Sequence, residues 1–201
     1  MKSLSIIILA GGKSTRMGSD KAFLPWGNTT FLGQIINAVL PLTSEIYLSG
    51  DDARLHDFGL PVIQDLRPNE GPVTALASCF PQIKTELVLV LSCDVPQIKT
   101  QDLQVLLNTV KPDLDMTMFS FQNRALPLVA VYGRRSFTAF EAAFQHRERK
   151  LFNVLEKLKT QTIVFDGEGG LENVNTRKDF EKISQRKSEK TQSCTKEKKT
   201  L

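Results

Sequence analysis

The sequence predicts an α/β sandwich built on a mostly parallel sheet, and three observations carry that prediction. Two runs, Leu4–Leu9 (LSIIIL) and Leu87–Leu91 (LVLVL), are almost continuously apolar, as strands buried on both faces are. Short β-rich runs alternate with amphipathic stretches of helical period along most of the chain. The chain has 201 residues, 41% of them hydrophobic and 24% charged, which suits one domain of ordinary size with a buried core.

The elements follow in order. Leu4–Leu9 is the first strand and ends in a Gly-Gly pair. Phe31, Leu32, Ile35, Ile36, Val39 and Leu40 fall on one helical face, with Thr29 or Thr30 as N-cap and Pro41 near the end. Glu45–Ser49 and Pro61–Gln64 are short strands. Gly71-Pro72 opens a helix carrying Val73, Leu76, Ala77 and Phe80, since proline is tolerated in a first turn. Leu87–Leu91 is the second buried strand, and Gln101–Val110 a helix with Leu103, Leu106 and Leu107 inward. Asp115–Phe121 and Leu126–Tyr132 read as strands, and Arg135–His146 and Phe152–Leu158 as helices. Thr162–Phe165 is a late strand and Thr176–Ile183 a final helix. There is no internal repeat.

Charge divides the chain in two. The net charge is +4, but residues 184–201 alone hold six basic and two acidic side chains, leaving twenty of each in residues 1–183. The body is neutral and has no global field for polyanions, so nucleic acid is not an expected partner. The tail is poor in apolar residues and is expected to be disordered, as a basic arm or simply a solvated end. No apolar run approaches the ~20 residues of a membrane helix. The first strand leads into Gly-Gly-Lys rather than a cleavage site, so neither signal peptide nor anchor is expected. Cys79, Cys93 and Cys194 are odd in number and form no CxxC pair, which fits a reducing cytoplasm. His56 and His146 are scattered, so a zinc site is not expected.

The chemistry gathers at strand ends. After Leu9-Ala10 come Gly11-Gly12-Lys13-Ser14-Thr15-Arg16-Met17-Gly18-Ser19-Asp20-Lys21. In an open parallel sheet, ligands bind beyond the carboxyl ends of strands. Gly11 and Gly12 let backbone N–H groups approach an anion, and Arg16 and Lys21 add full charge. The string reads as a polyphosphate cradle rather than a glycine-rich turn with solvated lysines. It is not a Walker A loop, because five residues separate Gly12 from Gly18 and Ser19 follows; nor does it contain G-x-G-x-x-G. Asp94 follows the second buried strand and points to the same rim, where Mg²⁺ would take such an oxygen together with substrate phosphates. Asp65, after the short strand at 61–64, can reach that edge. Either aspartate alone could merely form a turn. In Asn173-Val174-Asn175-Thr176, Thr176 or Asn175 could cap the last helix, or Asn175 could offer a carbonyl to a metal.

Together these segments resemble the nucleotidyltransferase family that contains the molybdenum cofactor guanylyltransferases. The family pattern L-A-G-G-x-S-x-R-M-G-x-D-K is matched throughout by Leu9 to Lys21, and Gly27 matches the glycine that follows. Gly71-Pro72 with Ala75 resembles a G-P-L-A-G segment, from which Val73-Thr74 and Leu76 depart. Cys93-Asp94-Val95-Pro96 resembles C-D-x-P. Ala125 to Tyr132 resembles the family's segment with P-L, and Asn173 to Thr176 its N-[VI]-N-T.

The resemblance implies a Rossmann-like three-layer sandwich of the nucleotide-diphospho-sugar transferase type over residues 1–183. It implies transfer of GMP from GTP to the phosphate of molybdopterin or molybdenum cofactor, with Mg²⁺ as cofactor and pyrophosphate released. Molybdoenzyme-maturation proteins would be further partners. Leu9, Ala10, Gly11, Gly12, Lys21, Asp65 and Asp94 would bind nucleotide. Arg16, Lys21 and Asp94 would be catalytic, and Asp94 and Asn175 would hold metal. Ser49 stands where many members have Asn. Arg124, Arg134 and Arg135 are candidates for the acceptor's phosphate, against plain surface solvation.

Rival readings remain within the superfamily: a molybdopterin cytidylyltransferase or a sugar-1-phosphate nucleotidyltransferase. Such relatives often read L-A-A-G, and by that resemblance Gly11-Gly12 after Ala10 tilts toward guanine, since a missing Cβ leaves more room near the base. Outside it stand a non-catalytic nucleotide-binding protein and, on pI alone, an RNA-binding protein.

Overall fold

Chain order and strand pairing build one sheet whose rim collects the chemistry. The computed structural model describes residues 3–11, 21–167, 170–176 and 178–185. Gly12 and Arg16 lie outside the described residues, as does the tail from residue 186 onward.

Strand β1 (Leu4–Leu9) is followed by a 3₁₀ turn at Lys21–Phe23 and a small hairpin, β2 (Pro25–Trp26) and β3 (Thr29–Thr30). Helix α1 (Phe31–Val39) is capped by the Thr30 hydroxyl, which accepts from the Gly33 N–H at 3.1 Å. Next come β4 (Ile46–Ser49), a 3₁₀ segment at Ala53–Phe58, β5 (Val62–Ile63) and α2 (Pro72–Cys79). Strand β6 (Leu87–Ser92), α3 (Thr100–Asn108), β7 (Met116–Phe121) and β8 (Arg124–Gly133) follow. The chain continues through α4 (Phe137–Gln145), α5 (Leu151–Leu155) and β9 (Thr160–Val164). Residues 178–185 are helical.

The main sheet runs β5-β4-β1-β6-β8-β7-β9. Strand β8 is antiparallel to β6 and β7, and every other pairing is parallel. The pleat sends alternate residues of β1 and β6 to opposite faces. Ile6, Ile8, Leu89 and Leu91 pack under Leu32, Ile35 and Val39 of α1 and Leu103 and Leu106 of α3. Ile7, Val88 and Val90 pack against Val73 and Leu76 of α2, Phe140 of α4 and Val154 of α5. This is the expected three-layer α/β sandwich. Its two continuous apolar strands occupy the centre, with Ile6, Ile7, Ile8 and Val88 to Leu91 all 0% exposed. Among the described residues, no helix is long and apolar enough to cross a membrane. Cys79 and Cys93 are both buried.

The differences from the sequence reading are local. The strand expected at 126–132 begins at Arg124 because a two-residue turn, Gln122-Asn123 with φ 50° and 61°, folds β8 directly onto β7. The helix expected from Arg135 begins at Phe137, after a 3₁₀ turn at Arg134–Ser136. The helix expected over 152–158 is the single turn Leu151–Leu155. Strand β9 starts at Thr160 rather than Thr162, since pairing with β7 rather than local hydropathy sets its ends. The β2–β3 hairpin and the 3₁₀ segment at 53–58 had no periodic signal to reveal them.

A small aromatic core docks the end of the chain onto the start. Trp26, Phe31, Val174 and Ile183 are buried together, with Leu24 and Phe180 packed against them. Trp26 and Phe31 meet edge-on at 5.5 Å, and Phe180 lies 5.8 Å from Phe31.

Candidate active site

Four parallel strands, β5, β4, β1 and β6, end side by side at one rim. The ladder continues just past them. Ala10 N–H donates to Ser49 O at 2.8 Å, Gly50 N–H to Ile63 O at 3.1 Å, and Cys93 N–H to Leu9 O at 3.2 Å. The backbones approach so closely that a side chain at either glycine would crowd its neighbours. A Cβ on Gly11 would lie 3.2 Å from Gly50 Cα, and one on Gly50 would lie 2.9 Å from Leu55 Cδ1 and 3.1 Å from Gly11 N. Gly50 was not singled out from the sequence, although a glycine directly after a β-rich run is a usable signal.

Asp94 follows β6 on this rim and is partly buried. Burial pushes its carboxyl up, against the Ser92 hydroxyl and the Lys21 charge, which pull it down. Lys21 Nζ donates to Asn175 Oδ1 at 2.6 Å. Val174 N–H donates to the Asp94 carbonyl at 2.8 Å, tying the segment around Asn175 across Asp94. The aromatic core of Trp26, Phe31 and Phe180 is what brings these segments together, 154 residues apart in sequence at Lys21 and Asn175.

The two roles open to Asn175 and Thr176 separate cleanly. Thr176 Oγ1 accepts from Asp179 N–H at 3.1 Å, and Asp179 Oδ2 accepts from the N–H groups of Asn175 and Thr176, forming a capping box. Thr176 caps the helix, and the Asn175 side chain faces Lys21 instead.

Asp65 sits two residues beyond β5. Ser49 Oγ donates to its Oδ1 at 3.3 Å, and its own N–H donates to Asp51 Oδ1 at 3.3 Å. Burial, then the Asp51 charge, raise the Asp65 carboxyl to about 6, and the Ser49 hydrogen bond works against both.

The three arginines do not share a place. Strand β8 runs backward, so Arg124 opens it at the active rim while Arg134 and Arg135 follow its far end. Arg134 Nη1 donates to Ile83 O at 2.9 Å, and Arg135 Nη2 to Pro112 O at 2.8 Å. Both are thus placed away from any acceptor at the rim. Arg124 lines an open groove of about 290 Å³ together with Phe121, Leu126, Asn175 and Lys182. Lys182 was not anticipated, because a lysine on a polar helix face carries no distinguishing signal.

Comparison with known proteins bears on the family and the fold. The MobA-like NTP transferase domain matches residues 6–162. A probable molybdenum cofactor guanylyltransferase of Carboxydothermus hydrogenoformans is 29% identical over 190 residues, covering 91% of this chain and 96% of the relative. One from Flavobacterium johnsoniae is 31% identical over 163 residues, covering 81% and 86%. In fold, the chain is similar to the crystal structure of molybdopterin-guanine dinucleotide biosynthesis protein A from Archaeoglobus fulgidus. The TM-score is 0.78 at 20% identity, covering 92% of this chain and 99% of that one. The fold is also similar to a CMP:2-keto-3-deoxy-manno-octonic acid synthetase complexed with CTP, with a TM-score of 0.72 at 17% identity, covering 94% and 99%. With its sheet, its glycine-ended first strand and its rim of charged side chains accounted for, the chain belongs to the MobA-like NTP transferase family.

Proposed function

We propose that this protein transfers GMP from GTP to the terminal phosphate of molybdopterin or molybdenum cofactor, releasing pyrophosphate. The observation that carries the reading is the meeting of Gly11, Lys21, Asp94 and Asn175 at one rim of the sheet. The names of the relatives in Carboxydothermus and Flavobacterium support the choice of substrates.

The reaction forms a bond from an acceptor phosphate oxygen to the α-phosphorus and breaks the bond from that phosphorus to the β-bridging oxygen. The attacking phosphate is already ionised at neutral pH, so no strong base is required. Catalysis then consists of positioning and charge stabilisation. The backbone N–H of Gly11 takes the nucleotide beside Leu9 and Ala10, and Lys21 exchanges Asn175 for phosphate oxygen. Arg16, with Lys21, neutralises the departing pyrophosphate. Asp65 binds the nucleoside part.

Mg²⁺ fits the donor set. Asp94 is a desolvated carboxylate and Asn175 a nearby amide oxygen, both hard ligands. Among the described residues no three His, Cys, Asp or Glu side chains gather as a metal site, so phosphate and water oxygens would complete the shell. Bound there, Mg²⁺ would supply Lewis-acid polarisation of the α-phosphate. The acceptor takes the groove beside Asn175, with Arg124 and Lys182 at its edge. The setting is cytoplasmic, where thiols stay reduced.

The test is pyrophosphate release with Mg²⁺, each nucleoside triphosphate and molybdopterin. Release should require GTP and acceptor together. Equal turnover with CTP would replace guanylyl by cytidylyl transfer, and tight nucleotide binding without release would leave a binding protein.

A further inference from the structure

We infer that Ser49 is a positioning residue that aims and charges the Asp65 carboxylate for the nucleotide. This rests on the nucleotide-binding role proposed for Asp65. Ser49 is the last residue of β4 and is 1% exposed, so its hydroxyl is not a surface contact for substrate. Among the described residues the hydroxyl instead faces Asp65, whose Oδ1 lies 3.3 Å away, with the Cys79 thiol of α2 as a further neighbour.

The chemistry of these groups fixes the direction of the bond. Burial pushes the Cys79 thiol up to about 12, so it stays protonated at neutral pH and puts no charge beside Asp65. An ionised carboxylate can only accept. The serine hydroxyl, with its one proton, therefore donates to Asp65, in a buried setting that strengthens the bond. Among the described residues, the titratable groups facing Asp65 are Asp51, from the loop after β4, and Cys79, from α2. Burial and then Asp51 disfavour the ionised form, and the Ser49 hydroxyl favours it. A carboxylate kept ionised can accept the paired N–H donors on the edge of guanine; a protonated one cannot accept both.

The experiment compares wild type, S49A, D65N and S49A/D65N. It measures kcat and KM for GTP by pyrophosphate release at pH 6 and pH 8, and the ¹³C NMR titration of the Asp65 carboxyl without nucleotide. S49A should move that titration upward. It should raise KM for GTP roughly three- to tenfold at pH 6, less at pH 8, with kcat within about twofold. It should add nothing in the D65N background. C79A, which keeps the serine hydroxyl, should shift the titration less than S49A. An unmoved titration, or the same rise in KM with and without Asp65, overturns the inference. If D65N raises KM and S49A does not, the inference alone falls. If D65N keeps the wild-type KM, the role proposed for Asp65 falls first and takes the inference with it.

Discussion

Replacing Asp65 with asparagine should stabilise the fold while weakening nucleotide binding. The folded carboxyl is raised from 3.8 to about 6 by burial and by Asp51. Fully expressed, that rise corresponds to about 3 kcal/mol of lost stability. Asp65 is partly open to solvent, and screening cuts the expectation to about 1 kcal/mol. In a chain of this size that is roughly 2–4 °C in Tm. The sign follows from proton binding. The folded state holds the Asp65 proton more tightly than the unfolded state. Well below pH 4 both states are protonated and no penalty exists. As pH rises towards 6 and beyond, the folded state must carry a poorly solvated charge, and stability is lost. The gain from D65N should be complete at pH 8, shrink through pH 6 and 5, and be mostly gone by pH 4. Denaturant melts of both proteins at pH 4, 5, 6 and 8, without nucleotide, measure it. A less stable variant at pH 8, or the same gain at pH 4 as at pH 8, would refute the reasoning.

Four further outcomes are expected. D94A should cut GTP-dependent pyrophosphate release at least ~100-fold with Tm within a few degrees, because it removes a desolvated charge rather than a packing contact; retained turnover would remove Asp94 from the chemistry. K21A should raise KM for GTP about tenfold or more, since Lys21 is the described cation beside Asp94; an unchanged KM would refute its phosphate role. F180A should loosen the aromatic core by about 2 kcal/mol, less than a fully buried ring would cost. Trp26 is the sole tryptophan, so its fluorescence reports the change directly, and hydrogen exchange should quicken over residues 171–185. G50A should lower Tm by several degrees and weaken GTP binding, because its Cβ would fall 2.9 Å from Leu55 and 3.1 Å from the Gly11 nitrogen; wild-type melts would refute that account.

The fold was legible because its centre is written in composition. A strand buried on both faces must be apolar at every position, and β1 and β6 are nearly so. The candidate site was legible where a strand end coincides with glycine or a carboxylate, as at Gly11 and Asp94. It was not legible where tertiary packing makes the site. Nothing in the local sequence of Trp26, Phe31 or Phe180 says that they pack together, yet their edge-on and tilted packing carries Asn175 to Lys21. The reversed direction of β8 was equally hidden. It decides that Arg124 faces the groove while Arg134 and Arg135, a few residues on, brace the opposite rim.

The placement of Asp65 and Asp94 runs against the stability of the fold that holds them. Both carboxyls are raised chiefly by burial, so the empty protein is less stable for having them ionised there. A surface position would remove the cost and also the purpose. In water a carboxylate keeps its own solvent shell and moves with its side chain. At the end of a rigid parallel ladder it is held in place and partly stripped of water before any ligand arrives. On the proposed function, Mg²⁺ would add positive charge beside Asp94 and guanine would bring donors to Asp65. Binding would then return the stability that folding withheld. Nucleotide with Mg²⁺ should therefore raise Tm more in the wild-type protein than simple occupancy of a neutral cleft would, and D65N and D94A should each forfeit part of that rise.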